Sequence, residues 1–288
     1  MQILMLSRFY YPHVGGVEKH IHEISKRLSK KGHEIHIIKT RYPKIKFIGL
    51  FVIWFQLLKQ IGLIWKSDIV HIHDVFIWYL PFRFLFPRKK VFITHHGGQA
   101  LYPIPKKEII MKQLASKLSN GTICIGRFIP KHFKVSCDAI SYGAVQIPKE
   151  GKKENRIVWL GRLEEETGVL KAVEDMKKYK NYKIDFCGDG PLKKECKKVG
   201  EVHGFVNPRP FLKKAKICYP VGYLSALEAI ANKCKIKVVW NNKLKKDYWQ
   251  LTPLYKYFKS EDTNGAYEWV KKQTWRKLTE EYIKLWKN

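Results

Sequence analysis

Residues 2–32, QILMLSRFYYPHVGGVEKHIHEISKRLSKKG, decide the fold class. Residues 3–6 form a short apolar run that reads as a buried strand. A loop, residues 7–16, follows and ends in two adjacent glycines, Gly15 and Gly16. From Gly16 to about Lys31 the apolar residues Val17, Ile21, Ile24 and Leu28 recur at helical spacing, and Gly32 ends the pattern. Strand, glycine-bearing loop and helix in that order make one α/β unit, and the rest of the chain repeats it.

Further strands are expected at 35–38, 69–72, 91–94, 122–125 and 139–140. Residues 143–156 are polar and carry Pro148 and Gly151, which suits a linker. The pattern then restarts, with strands at 157–160, 183–187, 217–219 and 237–240 and helices at 169–178, about 192–199 and 225–232. Residues 264–288 read as helical, with Trp269, Trp275, Tyr282 and Trp286 among the apolar positions. Strands alternating with helices specify parallel sheets wrapped by helices. The expectation is an α/β chain of two Rossmann-like domains, residues 1–148 and 149–265, with a terminal helix, 266–288, packing back toward the first.

The chain has 288 residues, enough for two cores. It carries 55 Lys+Arg against 25 Asp+Glu, a formal charge of +30. Such a field attracts polyanions: phosphorylated ligands, anionic lipid or nucleic acid. An evenly solvated lysine surface accounts for the same number. No helix-turn-helix, zinc-finger or RNA-binding sheet motif is present, so nucleic acid is not an expected partner. The six cysteines, Cys124, Cys137, Cys187, Cys196, Cys218 and Cys234, form no C-x-x-C pair. With no secretory signal ahead of the first strand, all six are expected to be reduced thiols in a cytoplasmic protein.

Residues 47–58, FIGLFVIWFQLL, carry no charge and are bracketed by Lys46 and Lys59. Twelve residues are too few to span a bilayer, which needs about 20. A core helix and a helix lying in a membrane interface both fit. A second aromatic run, residues 76–86, leads into Arg88, Lys89 and Lys90, a pairing that suits lipid head groups or a core edge.

Ligands of paired α/β domains sit at the carboxyl ends of the strands. Four places carry chemistry, the fourth being in the second unit and comprising Arg162 and Glu228. Gly15 and Gly16 open a helix, whose free N–H groups suit a phosphate or simply a turn. His73 and Asp74 end one strand, and His95 and His96 end the next. With Asp74 the only carboxylate beside them, no metal site is expected. Arg162 follows the strand that ends at Gly161 and suits bidentate contact with phosphate. Glu228, in the helix LSALEAIAN, is either a ribose acceptor or a solvated helix residue.

Taken in order, PHVGGVE (12–18), DIVHIHD (68–74), THHG (94–97), WLGRL (159–163), CGDGP (187–191), HGFV (203–206), LEAIA (227–231) and the aromatic ending resemble the family 4 glycosyltransferases of the GT-B fold. It is the colinear order of the motifs that carries the resemblance. It implies two Rossmann-like domains facing each other across a cleft, and a retaining, metal-independent transfer of a sugar from a nucleotide-sugar donor, a UDP- or GDP-sugar, with no cofactor. Gly15, Gly16, Gly190, Arg162 and Glu228 would hold the donor, and His96 and Arg162 would act in catalysis. His13, His73 and Asp74 would face a glycan or lipid-linked acceptor, with an anionic membrane surface as a further partner. Two positions depart from the family pattern. Thr167 stands where a lysine usually contacts the diphosphate, and Pro220 where a second glutamate contacts the sugar. These departures keep a second reading open, a catalytically degenerate sugar-nucleotide binder or partner subunit.

Overall fold

The computed structural model describes residues 1–12, 15–39, 48–97 and 102–287. It divides into two compact units. The first comprises residues 1–99, 103–141 and 276–288, and the second residues 100–102 and 142–275.

In the first unit β1 (Gln2–Ser7), β2 (Glu34–Lys39), β3 (Ile69–His73), β4 (Lys90–His95), β5 (Gly121–Ile125) and β6 (Ala139–Ser141) form a parallel sheet. The strand order is β2-β1-β3-β4-β5-β6. The connecting helices are α1 (Gly16–Lys30), α2 (Gly49–Leu58), α3 (Ile61–Lys66), α4 (Phe76–Leu85), α5 (Lys106–Leu118) and α6 (Phe128–Phe133). Strands buried on both faces read as continuous apolar runs, as residues 3–6 do. β3 is different, because His71 and His73 are as buried as its aliphatic residues. Polar groups so placed need hydrogen-bond partners.

In the second unit β7 (Glu154–Leu160), β8 (Lys183–Cys187), β9 (Glu201–Gly204), β10 (Ala215–Pro220) and β11 (Lys235–Ile236) form a parallel sheet in the order β11-β10-β7-β8-β9. Its helices are α7 (Val169–Met176), α8 (Lys193–Lys197), α9 (Arg209–Lys214), α10 (Tyr223–Ala231), α11 (Lys243–Gln250), α12 (Tyr255–Ser260) and α13 (Thr263–Lys271), with a 3-10 turn at Glu165–Thr167. One core holds Val158, Cys218, Leu227, Ile230 and Val270. Another holds Trp159, Met176, Phe186 and Tyr219. A final helix, α14 (Trp275–Lys287), lies almost wholly in the first unit.

Three sequence expectations are corrected. Residues 237–240 are not a strand; pairing with β10 stops after Ile217↔Lys235 and Cys218↔Ile236. The terminal stretch is two helices, because the α-helical pattern breaks after Lys271. Two of the six cysteines are oxidised. Cys124 on β5 and Cys137 in the loop before β6 stand 5.9 Å apart at Cα and form a disulfide, while Cys187, Cys196, Cys218 and Cys234 are free and buried.

Candidate active site

In the first unit the strand ends of β3 and β4 gather the polar residues. Asp74 follows β3 with φ 63°, a left-handed backbone that carries its carboxylate toward β4. There it accepts from the His96 N–H at 3.1 and 3.2 Å and from Lys112 Nζ of α5 at 2.8 Å. Burial pushes the Asp74 carboxyl upward, but Lys112 and the histidines His96 and His95 outweigh it and hold the pKa at about 2. Asp74 is therefore a fixed anion that orients the His96 backbone.

His96 is desolvated to a pKa of about 4; Asp74 opposes that shift and Lys112 adds to it. Its Nε2 lies 2.9 Å from His73 Nδ1. The His20 ring of α1 stands edge-on to His96 with centroids 5.0 Å apart. His20 and His73 are held well below the ordinary imidazole range, by burial first and by neighbouring imidazoles second. At neutral pH this is a group of uncharged rings, able to give and accept hydrogen bonds without carrying charge.

The terminal helix α14 completes the group. Trp286 Nε1 donates to His71 Nδ1 at 3.0 Å. An indole N–H is a donor only, so the His71 proton sits on Nε2 and is given to Thr94 Oγ1 at 2.8 Å. The Tyr282 hydroxyl lies 2.8 Å from Thr94 Oγ1 and 2.8 Å from His20 Nε2. A continuous chain thus runs from Trp286 through His71, Thr94 and Tyr282 to His20.

Gly15 caps α1 in extended backbone, and Gly16 is the first helical residue. A Cβ on Gly15 would overlap the Glu18 carboxylate, which folds back over the helix start. His13 lies outside the described residues.

In the second unit Arg162 follows β7 and pairs with Glu164 at 2.6 Å, its side chain 47% exposed. Two loops interlock beside it. Leu163 N–H donates to Asp189 O at 2.9 Å, and Leu192 N–H to Leu163 O at 3.0 Å. Gly190, at φ 157°, lies so close to the Leu163 carbonyl that a Cβ would overlap it. The structure thus brings Arg162 and Gly190 together at the carboxyl ends of β7 and β8. Thr167 is buried, with its hydroxyl 2.6 Å from Glu164 O and 3.1 Å from Arg162 O. Pro220 ends β10. Glu228 is half-buried on α10, and its charge reaches Cys218 of β10. His203 Nε2 donates to Asp185 Oδ1 at 2.8 Å while Arg156 donates to Oδ2 at 2.7 Å, so this buried carboxylate is already engaged.

Residues 14–134 match the family model for Glycosyltransferase Family 4. This stretch, which includes Asp74 and His96, is similar to that family. One of the subunits of the human phosphatidylinositol N-acetylglucosaminyltransferase is 33% identical over 99 residues, a match spanning 32% of this chain and 19% of that protein. The whole chain is also similar in structure to a glycosyltransferase from Rickettsia africae, with a TM-score of 0.66 at 14% identity, covering 99% of this chain and 97% of the other. The Anabaena protein HepE in complex with UDP gives a TM-score of 0.67 at 10% identity, covering 99% of both chains. At such identities the likeness establishes the fold: two parallel-sheet units of the GT-B type.

Sequence reasoning named His73, Asp74, His96, Gly190 and Arg162, and missed His20, Lys112, Tyr282 and Trp286. The two aromatics of α14 were visible as apolar positions, but nothing in their spacing showed that their polar atoms serve buried histidines.

Proposed function

We propose that the chain is a retaining glycosyltransferase that takes a UDP- or GDP-sugar and works without a metal ion. The observation that carries this reading is the uncharged His96, held by Asp74 through its backbone at the end of β4, inside the residues that match family 4. In this reading the leaving nucleoside diphosphate gains negative charge in the transition state, and Arg162 beside the Gly190 loop stabilises it. His96, His73 and Asp74 line the side where sugar and acceptor meet. Asp74 is committed to Lys112 and the His96 N–H, so it positions rather than attacks. The reaction then proceeds on one face of the sugar, without a carboxylate nucleophile.

The acceptor we propose is a glycan on a lipid, reached from an anionic membrane surface. α2 buries Ile53 and Leu57 but leaves Phe51 and Phe55 exposed at 64% and 58%. Trp65 of α3 and Phe84 of α4 are exposed at 70% and 67%. Lys59, Lys66 and Arg88 lie next to these aromatics in the chain. Exposed aromatics beside cations suit the head-group region. A groove of about 1020 Å³ is lined by Trp65, Lys66, Leu85, Phe86, Arg88 and Lys90. No described helix is long and apolar enough to cross a membrane.

Turnover of a donor panel tests the catalytic part. Release of free nucleoside diphosphate should disappear in His96→Ala and Arg162→Ala. Flotation with vesicles of mixed phosphatidylserine and phosphatidylcholine tests the membrane part, and equal binding to pure phosphatidylcholine removes it. One observation favours the second reading, a sugar-nucleotide binder without turnover. The Tyr223 N–H at the start of α10 is taken by the Tyr248 hydroxyl, and Pro220 precedes it in place of the expected glutamate. Binding of a donor with no release of diphosphate in any acceptor mixture would decide for it.

A further inference from the structure

Lys245 of α11 is a buried cation that the site described so far does not use. It is 6% exposed. Its ammonium donates to the Val221 carbonyl and lies 4.5 Å from the Tyr248 ring centre and 5.6 Å from that of Trp249. Among the described residues no carboxylate pairs with it. An ammonium offers three N–H donors, and one is taken by a protein carbonyl. A buried ammonium with no protein carboxylate beside it is held in its charged form only by an anion that arrives from outside.

Its position says which anion. Val221 N–H donates to Leu160 O, the last residue of β7, at 3.0 Å. Lys245 is thereby fixed beside the strand end from which Arg162 projects, and the two cations sense one another. Arg162 has Glu164 as its partner, so the pair retains excess positive charge. Thr167, where a phosphate-binding lysine was expected, is committed to closing its own turn. We propose that Lys245 supplies the second cation of the diphosphate site, in place of the lysine that Thr167 replaces. This inference rests on the donor reading above.

The charged group facing Lys245 is Arg162; the titratable hydroxyls near it are those of Tyr248 on its own helix and Tyr223 of α10, stacked on Tyr248. Burial, and then the Arg162 charge, lower the ammonium to a pKa of about 7. A diphosphate beside it raises that value, so binding near pH 7.5 takes up protons.

The test is calorimetric titration of the full chain with UDP, GDP and inorganic pyrophosphate at pH 7.5, in buffers of different ionisation heat. The wild type should bind a nucleoside diphosphate with proton uptake. Lys245→Met should weaken that binding and pyrophosphate binding at least tenfold, on the order expected for a lost charged contact, and abolish the uptake. Its apo melting temperature should equal or exceed that of the wild type, because the cost of desolvating the amine is gone. A wild type that binds none of the three probes overturns the donor reading and this inference together. Wild-type binding with no proton uptake, or with equal affinity in Lys245→Met, overturns the role of Lys245 alone. Should the methionine variant not fold, the wild-type proton uptake and Lys245→Arg decide: the arginine variant should bind pyrophosphate without uptake.

Discussion

Lowering the pH from 7.5 to 5 perturbs the first unit through its histidines. His71 and His95 are held at pKa about 3 and His96 at about 4, all chiefly by burial. In the unfolded chain each returns to about 6.5. Between these values the unfolded state binds the proton and the folded state does not, so stability rises with pH across this window. It is fully present above about pH 6.5 and is lost as pH falls toward the folded values. At pH 5 the unfolded state gains about 2 kcal/mol for each such imidazole, so these three contribute about 6 kcal/mol. His20 and His73 act in the same direction. Total stability is typically about 5–15 kcal/mol, so the first unit should approach unfolding at pH 5. Asp74, already ionised down to about pH 2, contributes nothing in this window. Urea denaturation at pH 7.5, 6 and 5, followed by near-ultraviolet circular dichroism, measures the loss. Replacing His71 with an uncharged glutamine should remove about 2 kcal/mol of the pH-dependent difference. Equal urea midpoints at pH 7.5 and 5, or histidine ring resonances for these residues that titrate near pH 6.5, would refute the assignment of neutral buried imidazoles.

Tyr282→Phe removes the hydroxyl shared by Thr94 and His20 and should cost about 1–3 kcal/mol, read from urea midpoints. Arg162→Ala should lower kcat on the best donor by about 10²–10³, and an unchanged kcat would reject its role at the diphosphate. Thr167→Lys places an ammonium at a site 2% exposed and breaks the turn. It should destabilise the chain by about 1–3 kcal/mol without tightening diphosphate binding, as melting and titration would show. Thiol labelling of the denatured, unreduced chain should count four cysteines, since Cys124 and Cys137 are joined.

The sheet of the first unit was legible because parallel strands buried on both faces read as short apolar runs, as residues 3–6, 91–94 and 122–125 do. Strand β9, EVHG, was not, since its only aliphatic residue is Val202. Strand β11 is two residues long and was displaced in the reading by the more apolar residues that follow it. The disulfide depends on the loop that returns Cys137 to β5, a tertiary event that spacing does not encode. Lys245 was illegible for a related reason. In KLKKDYWQ it looks like one solvated lysine among several, and only the packing of α11 against Val221 and Tyr248 distinguishes it.

The same physics explains why the histidines of β3 and β4 survive inside a core. Desolvation alone would make each a liability, for a buried imidazole without partners loses its hydrogen bonds to water. The terminal helix changes that balance. Trp286 and Tyr282 give His71, Thr94 and His20 their partners, and His20 in turn stands edge-on to His96. The residues most remote in sequence from His20 therefore decide its environment: Tyr282 lies 262 positions away. A chain lacking α14 would lose the Trp286 donor to His71 Nδ1 and the Tyr282 hydroxyl at Thr94 and His20, so the geometry around His96 should loosen even though no residue that contacts a sugar has been removed. Tyr282→Phe separates the two effects. A loss of stability with unchanged pH dependence of turnover marks a structural helix, whereas a shift in the acidic limb of turnover marks a helix that sets the protonation of His96 through His20.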